Sequence, residues 1–144
     1  MHMAERSFDS KHIALEQLET ALQLYFERES YLSVITLAGA AEEILGRLAR
    51  SRGIDNSLEA LKKAAGAIHQ HLYGEQIESK SIAVRANYAR NKLKHVGVTE
   101  ETLVTLDEKQ EAIDMLIRAI DNYWLVEQKL TPLMESFQGE QFDV

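Results

Sequence analysis

Apolar residues recur at the 3.6-residue period of a helix in successive blocks along this chain, and its single proline, Pro132, falls after the last long block. Leu15, Leu18, Ala21, Leu22, Tyr25 and Phe26 share one face of a first helix, and Tyr31, Val34, Ile35, Ala38, Ala41, Leu45, Leu48 and Ala49 form the stripe of a second. Leu58, Leu61, Ala65, Ile68 and Leu72 mark a third. Ile82, Ala86, Ala89 and Leu93 mark a fourth, and Ala112, Ile113, Leu116, Ile117, Ile120, Tyr123, Trp124 and Leu130 mark the longest. No segment alternates with the period of two that a half-buried strand requires. The pattern predicts an all-α fold, an up-and-down helical bundle of four to five helices.

Cap residues set the expected boundaries. Ser7, Asp9 and Ser10 offer oxygens to a first helix over about residues 9–28, and Ser30 caps the second, which runs to about Arg50 before Gly53. Asp55-Asn56-Ser57 opens the third and Tyr73-Gly74 closes it. After a polar connector, the fourth runs over 80–95 until Val96-Gly97-Val98 breaks it. Thr99-Glu100-Glu101 and Thr105-Leu106-Asp107-Glu108 both read as helix starts with acids near the positive end of the dipole, and the second start leads into the long final helix. On that helix Glu111, Asp114, Arg118 and Asp121 are expected to face water, and Tyr123 and Trp124 to lie in the core. Residues 7–130 form one domain in this reading, and 131–144 a short turn and a flexible tail.

Several function classes are set aside by what the sequence lacks. With no cysteine there is neither a disulfide nor thiol chemistry, and a reducing cytoplasm is the expected location. No apolar run approaches the roughly 20 residues of a membrane span. Met1-His2-Met3 reads as a cloning remnant ahead of a native Met3. His69 and His71 are two residues apart and would diverge by about 200° on a helix, and His12 stands alone, so no metal or other cofactor is implied. Glycine-rich phosphate loops, nucleophile elbows, zinc signatures and EF-hands are missing.

The net charge is −7, yet Lys80, Arg85, Arg90, Lys92 and Lys94 place +5 within residues 80–98, where no acidic residue occurs, and the rest carries −12. Either this is a local site for phosphate on an acidic body, or the cations face Asp and Glu of neighbouring helices in ordinary surface pairs. A second oddity is Glu42, which falls inside the apolar stripe of the second helix while Glu43 points away. A carboxylate there either finds a cation, with Arg90 or Arg85 the natural partner, or snorkels to water. Beside it Ala38-Gly39-Ala40-Ala41 is small on every side and admits a close neighbour.

Arg90-Asn91-Lys92-Leu93-Lys94-His95 contains an arginine, a polar residue and then, five residues after the arginine, a histidine. With its place late in an inner helix and Ala-Gly-Ala-Ala-Glu-Glu in an earlier one, it resembles the Arg-x4-6-His signature of the HEPN superfamily, small helical domains that include many metal-independent ribonucleases. That resemblance implies a HEPN-like bundle acting as a homodimer, in which two motifs face each other and RNA or a nucleotide binds between them. His95 would be the general acid/base, Arg90 the phosphate clamp, Asn91 an orienting group and Glu42 a buried brace for an arginine. Lys94, Asn87, Lys92 and Arg85 would hold RNA phosphate, and Tyr88 would stack on a base. Arg90 and His95 diverge by roughly 140° on an unbroken helix. Their convergence needs a loosened helix end before Gly97, the reach of the arginine, or a second copy of the chain. HEPN toxins paired with a nucleotidyltransferase antitoxin often carry a tyrosine two residues after the histidine, where the antitoxin modifies it, and the resemblance would imply such a partner. Gly97 stands at that position. The rival expectations are a catalytically inactive HEPN-like module that binds nucleotide, RNA or protein, and a helical adaptor.

Overall fold

The computed structural model describes residues 4–100 and 102–142, so Met1-His2-Met3 and Glu101 lie outside the described residues. These form helices α1 (Ser10–Glu27), α2 (Tyr31–Ser51), α3 (Ser57–Tyr73), α4 (Ser79–Ala86), α5 (Tyr88–Lys94), α6 (Glu108–Glu127) and α7 (Pro132–Phe142), with no strand among the described residues. The all-α expectation holds, with more helices than the four or five predicted.

α2 is the central element and packs most extensively on α6 and α1. Leu18 and Leu22 of α1, Val34, Ile35 and Leu45 of α2, and Leu116 and Ile120 of α6 are fully buried between them. Each such side chain stabilises the fold by about 1.5–3 kcal/mol relative to exposure. Asp9 caps α1, its carboxylate accepting from the His12 N–H at 2.8 Å. The chain reverses through Glu29, which holds a left-handed φ of 52°. Ser30 takes the N-cap position of α2, but its hydroxyl makes no capping bond.

Four expectations are corrected. The helix predicted over 80–95 is two helices, because the buried Arg118 guanidinium draws off the polar groups at the joint. Its Nη1 donates to the Ala86 carbonyl at 3.0 Å and its Nη2 to the Asn87 side-chain oxygen at 2.9 Å. Arg118 therefore lies in the core rather than in water, 7% exposed. Trp124 is the converse: Tyr123 takes the inward position at 4% exposure, and the indole, one residue further round the helix, is 46% exposed. Residues 132–142 form a helix, α7, in place of the short turn and tail, and Asp143 and Val144 lie outside the described residues. Proline suits a first helical position because its missing N–H would have had no partner there, and the Thr131 hydroxyl accepts from the Met134 N–H at 3.3 Å. Met134 and Phe137 are fully buried, and the Phe137 ring meets Tyr25 edge-on at 5.3 Å. Burial and the neighbouring Glu140 carboxylate push the Tyr25 phenol up from its usual range. The folded unit thus extends beyond residue 130.

α3 is well capped, with the Asn56 side chain accepting from the Glu59 N–H at 2.9 Å and Gly74 closing it at φ 68°. None of its residues is buried, and Leu61, Ile68 and Leu72 of its predicted apolar face are exposed. Residues 102–107 carry no helix, and α6 begins with the Asp107 carboxylate accepting from the Gln110 N–H at 3.1 Å. Among the described residues no helix is long and apolar enough to cross a membrane.

Candidate functional site

The two sequence oddities meet in one place. Glu42, 3% exposed, accepts from Arg90 Nη1 through Oε2 and from Arg118 Nη2 through Oε1, both at 2.9 Å. A buried carboxylate costs several kcal/mol unless paired and hydrogen-bonded, and these two guanidiniums supply that pairing. Glu42 thus takes a cation rather than reaching water. Glu43, its side chain 38% exposed, approaches Arg90 Nη2 only to 3.6 Å. The small stretch of α2 explains how Arg90 gets there. A Cβ on Gly39 would stand 2.5 Å from Arg90 Cδ and 2.8 Å from Cγ, so the arginine stem lies directly on the glycine backbone.

Two asparagines extend the cluster. Asn122 is fully buried, donating from Nδ2 to the Glu42 carbonyl at 3.1 Å and accepting the Ser57 N–H on Oδ1 at 2.7 Å. Asn56 does more than cap α3: its Nδ2 donates to the Gly46 carbonyl at 3.2 Å. Gly46 is constrained too, though less than Gly39, since a Cβ there would lie 3.1 Å from Asn56 Nδ2 and 3.2 Å from Asn122 Nδ2. Sequence reasoning missed Arg118 and Asn122, although they stand one helical turn apart, three residues after the buried Met115 and Ala119. That spacing puts them at the edge of the core face and was the available signal.

Arg90 and His95 do not converge within one chain. Arg90 lines a polar cavity of about 170 Å³ with Glu43, Arg47, Arg50, Asn56 and Asn87. His95 is exposed at the end of α5 and borders a separate cavity with Lys92, Val96 and Val98. The break at Asn87 and the length of the arginine send Arg90 inward to α2, so neither a loosened helix end nor side-chain reach unites the pair. The expected roles divide accordingly. Arg90 is pinned by carboxylates, Asn87 is tied to Arg118, and Asn91 is exposed.

The rest of the basic stretch behaves differently. Lys80, Arg85 and Lys94 are exposed and form no ion pair among the described residues, whereas Arg90 follows the ion-pair alternative. Tyr88 is 42% exposed, and Lys92 Nζ sits 5.7 Å from its ring centroid. No group of three His, Asp or Glu residues that could hold a metal is found among the described residues. Comparisons with family models, with curated proteins and with solved structures return no match.

Proposed function

We propose that this chain is a HEPN-like helical module that binds single-stranded RNA through its phosphates. Lys80, Arg85 and Lys94 supply the charge and Tyr88 a stacking surface. The observation that carries this reading is that three exposed cations lack a carboxylate partner among the described residues, on an acid-free stretch of a chain of net charge −7. Unneutralised charge of this kind binds phosphate by releasing condensed counterions, and an exposed aromatic ring stacks on bases without regard to sequence. Fluorescence anisotropy with a 5′-hydroxyl oligoribonucleotide over a salt series is the test. Each of Arg85→Gln and Lys94→Gln should weaken binding and reduce the slope of log K against log salt by about 0.7. Unchanged affinity in both variants would refute the reading.

A second reading is favoured by the exposed His95 beside Lys92: a metal-independent ribonuclease acting as a homodimer. There a histidine takes the 2′-OH proton, the 2′-oxygen attacks phosphorus, and the 5′-oxygen leaves with a proton returned to it, giving a 2′,3′-cyclic phosphate. Since Arg90 and His95 lie apart in one chain, this reading requires a second copy to bring its His95 toward the first copy's Arg90. Light scattering should then report twice the chain mass. Cleavage should survive EDTA, spare DNA and fall by about 10² to 10⁴ in His95→Ala. Equal RNA loss with wild type and His95→Ala would leave binding alone.

A further inference from the structure

The cavity bounded by α2, the start of α3 and the α4–α5 joint is apart from the exposed basic stretch: Lys80, Arg85, Lys94 and His95 are not among its lining residues. Arg47 and Arg50 stand at it, exposed, with no side-chain hydrogen bond or ion pair among the described residues. Arg90 reaches it from beneath. One side of its guanidinium is committed to Glu42 at 2.9 Å, but Nη2 meets Glu43 only at 3.6 Å, beyond hydrogen-bond distance, so donor capacity remains. Three arginines therefore line the space against two glutamates, and the charge of Glu42 is already consumed by Arg90 and Arg118. Asn56 and Asn87 complete the polar lining, and both are fixed by the bonds described above.

We infer that this cavity is an anion site for a terminal phosphate, the 5′-monophosphate of a nucleotide or of an RNA end. Size selects the group: about 170 Å³ is well below the roughly 300–1,000 Å³ of pockets that enclose a drug-sized ligand, so a phosphate fits while its nucleoside stays outside. Topology selects the monoester. An internal phosphodiester would have to pass two chain segments through the opening, whereas a terminal phosphate enters end-on with one. A guanidinium fork such as that of Arg47 or Arg50 is suited to two of its non-bridging oxygens. Glu43 is the resident competitor on Arg90, which gives the proposal a signed consequence: removing that carboxylate strengthens binding.

The test uses the full chain and isothermal titration calorimetry, first with inorganic phosphate, then with AMP against adenosine, then with 5′-phosphorylated against 5′-hydroxyl oligoribonucleotide. Phosphate and AMP should bind and adenosine should not. Arg47→Gln and Arg50→Gln should each weaken AMP by about tenfold, the loss of one charge-assisted contact, while Glu43→Gln tightens it. Both arginines are exposed and unpartnered among the described residues, so their variants should melt with wild type. The 5′-phosphorylated oligonucleotide should bind more tightly than its 5′-hydroxyl form, and Arg47→Gln should abolish that difference. Equal binding of AMP and adenosine, or phosphate binding unchanged in both arginine variants, would overturn the site. Arg85→Gln and Lys94→Gln report separately on the exposed stretch: they should lower RNA affinity while leaving the preference for a 5′-phosphate intact. Loss of that preference in them would also overturn the proposal.

Discussion

Replacing Glu42 by alanine should be the most damaging single change in the charged cluster. In the native protein one carboxylate pairs with two guanidiniums, Arg90 and Arg118, whose side chains are 11% and 9% exposed. Its removal leaves the buried Arg118 without a carboxylate and Arg90 with only the more distant Glu43, at 3.6 Å. Breaking a buried pair costs about 3–5 kcal/mol, a large share of the roughly 5–15 kcal/mol by which a domain is stable. For a chain of this length that corresponds to a melting temperature lower by about 10–15 °C. Arg90→Met should cost less, because the Arg118–Glu42 pair survives it and a buried carboxylate keeps one partner. Glu43→Ala should fall within about 0.5 kcal/mol of wild type, as for an ordinary surface substitution. Calorimetric melting of the three variants orders them. Equal, small shifts for Glu42→Ala and Glu43→Ala would refute the argument, since they would mean that the carboxylate is as well solvated as its neighbour.

Two further predictions follow from the packing around the cluster. Gly39→Ala gains about 1 kcal/mol of helix propensity but drives a methyl into Arg90 Cγ and Cδ, which the Glu42 bond holds in place, so chemical denaturation should show a net loss of about 1–2 kcal/mol. Gly66→Ala, where nothing lies within 4 Å of the added Cβ, should be stabilising and serves as the control. Asn122→Leu should cost about 1–3 kcal/mol by stranding the Ser57 N–H and removing the second bond to the Glu42 carbonyl, with hydrogen exchange at Ser57 accelerated accordingly.

The parts of the structure that local physics decides were legible in the sequence. Caps at Asp9, Asn56 and Asp107 and the apolar stripes of α1, α2 and α6 fix those helices, and the inward position of Glu42 followed from a helical wheel. What escaped was decided by contacts between distant segments. The α4–α5 joint exists because Arg118, more than 30 residues away, bonds Ala86 and Asn87, and nothing within residues 80–95 announces it. Arg118 read as a surface cation because charge alone says nothing about a carboxylate waiting on another helix. Trp124 read as core because its size outweighed its phase. α7 was the avoidable miss: Thr131-Pro132 is itself a helix start, and Met134 and Phe137 lie on one face after it. At the site, the basic stretch and the Glu42–Arg90 pairing were visible, whereas Arg47 and Arg50 were not, because their role depends on which helices surround them.

The absence of any buried residue in α3 divides the molecule into parts of unequal persistence. The helix is tethered at its first turn, where Ser57 is bonded to Asn122 and Asn56 to Gly46, and beyond that turn it rests on α4 without entering the core. Local opening costs only as much as the contacts it breaks. The later turns of α3, residues 62–73, should therefore open and reclose while α1, α2 and α6 stay folded, and their amide protection should fall steadily from Ser57 toward Tyr73. The fixed end of this arm is the wall of the polar cavity and the free end is not, so the protein keeps its charged cluster in register while the helix beside it breathes.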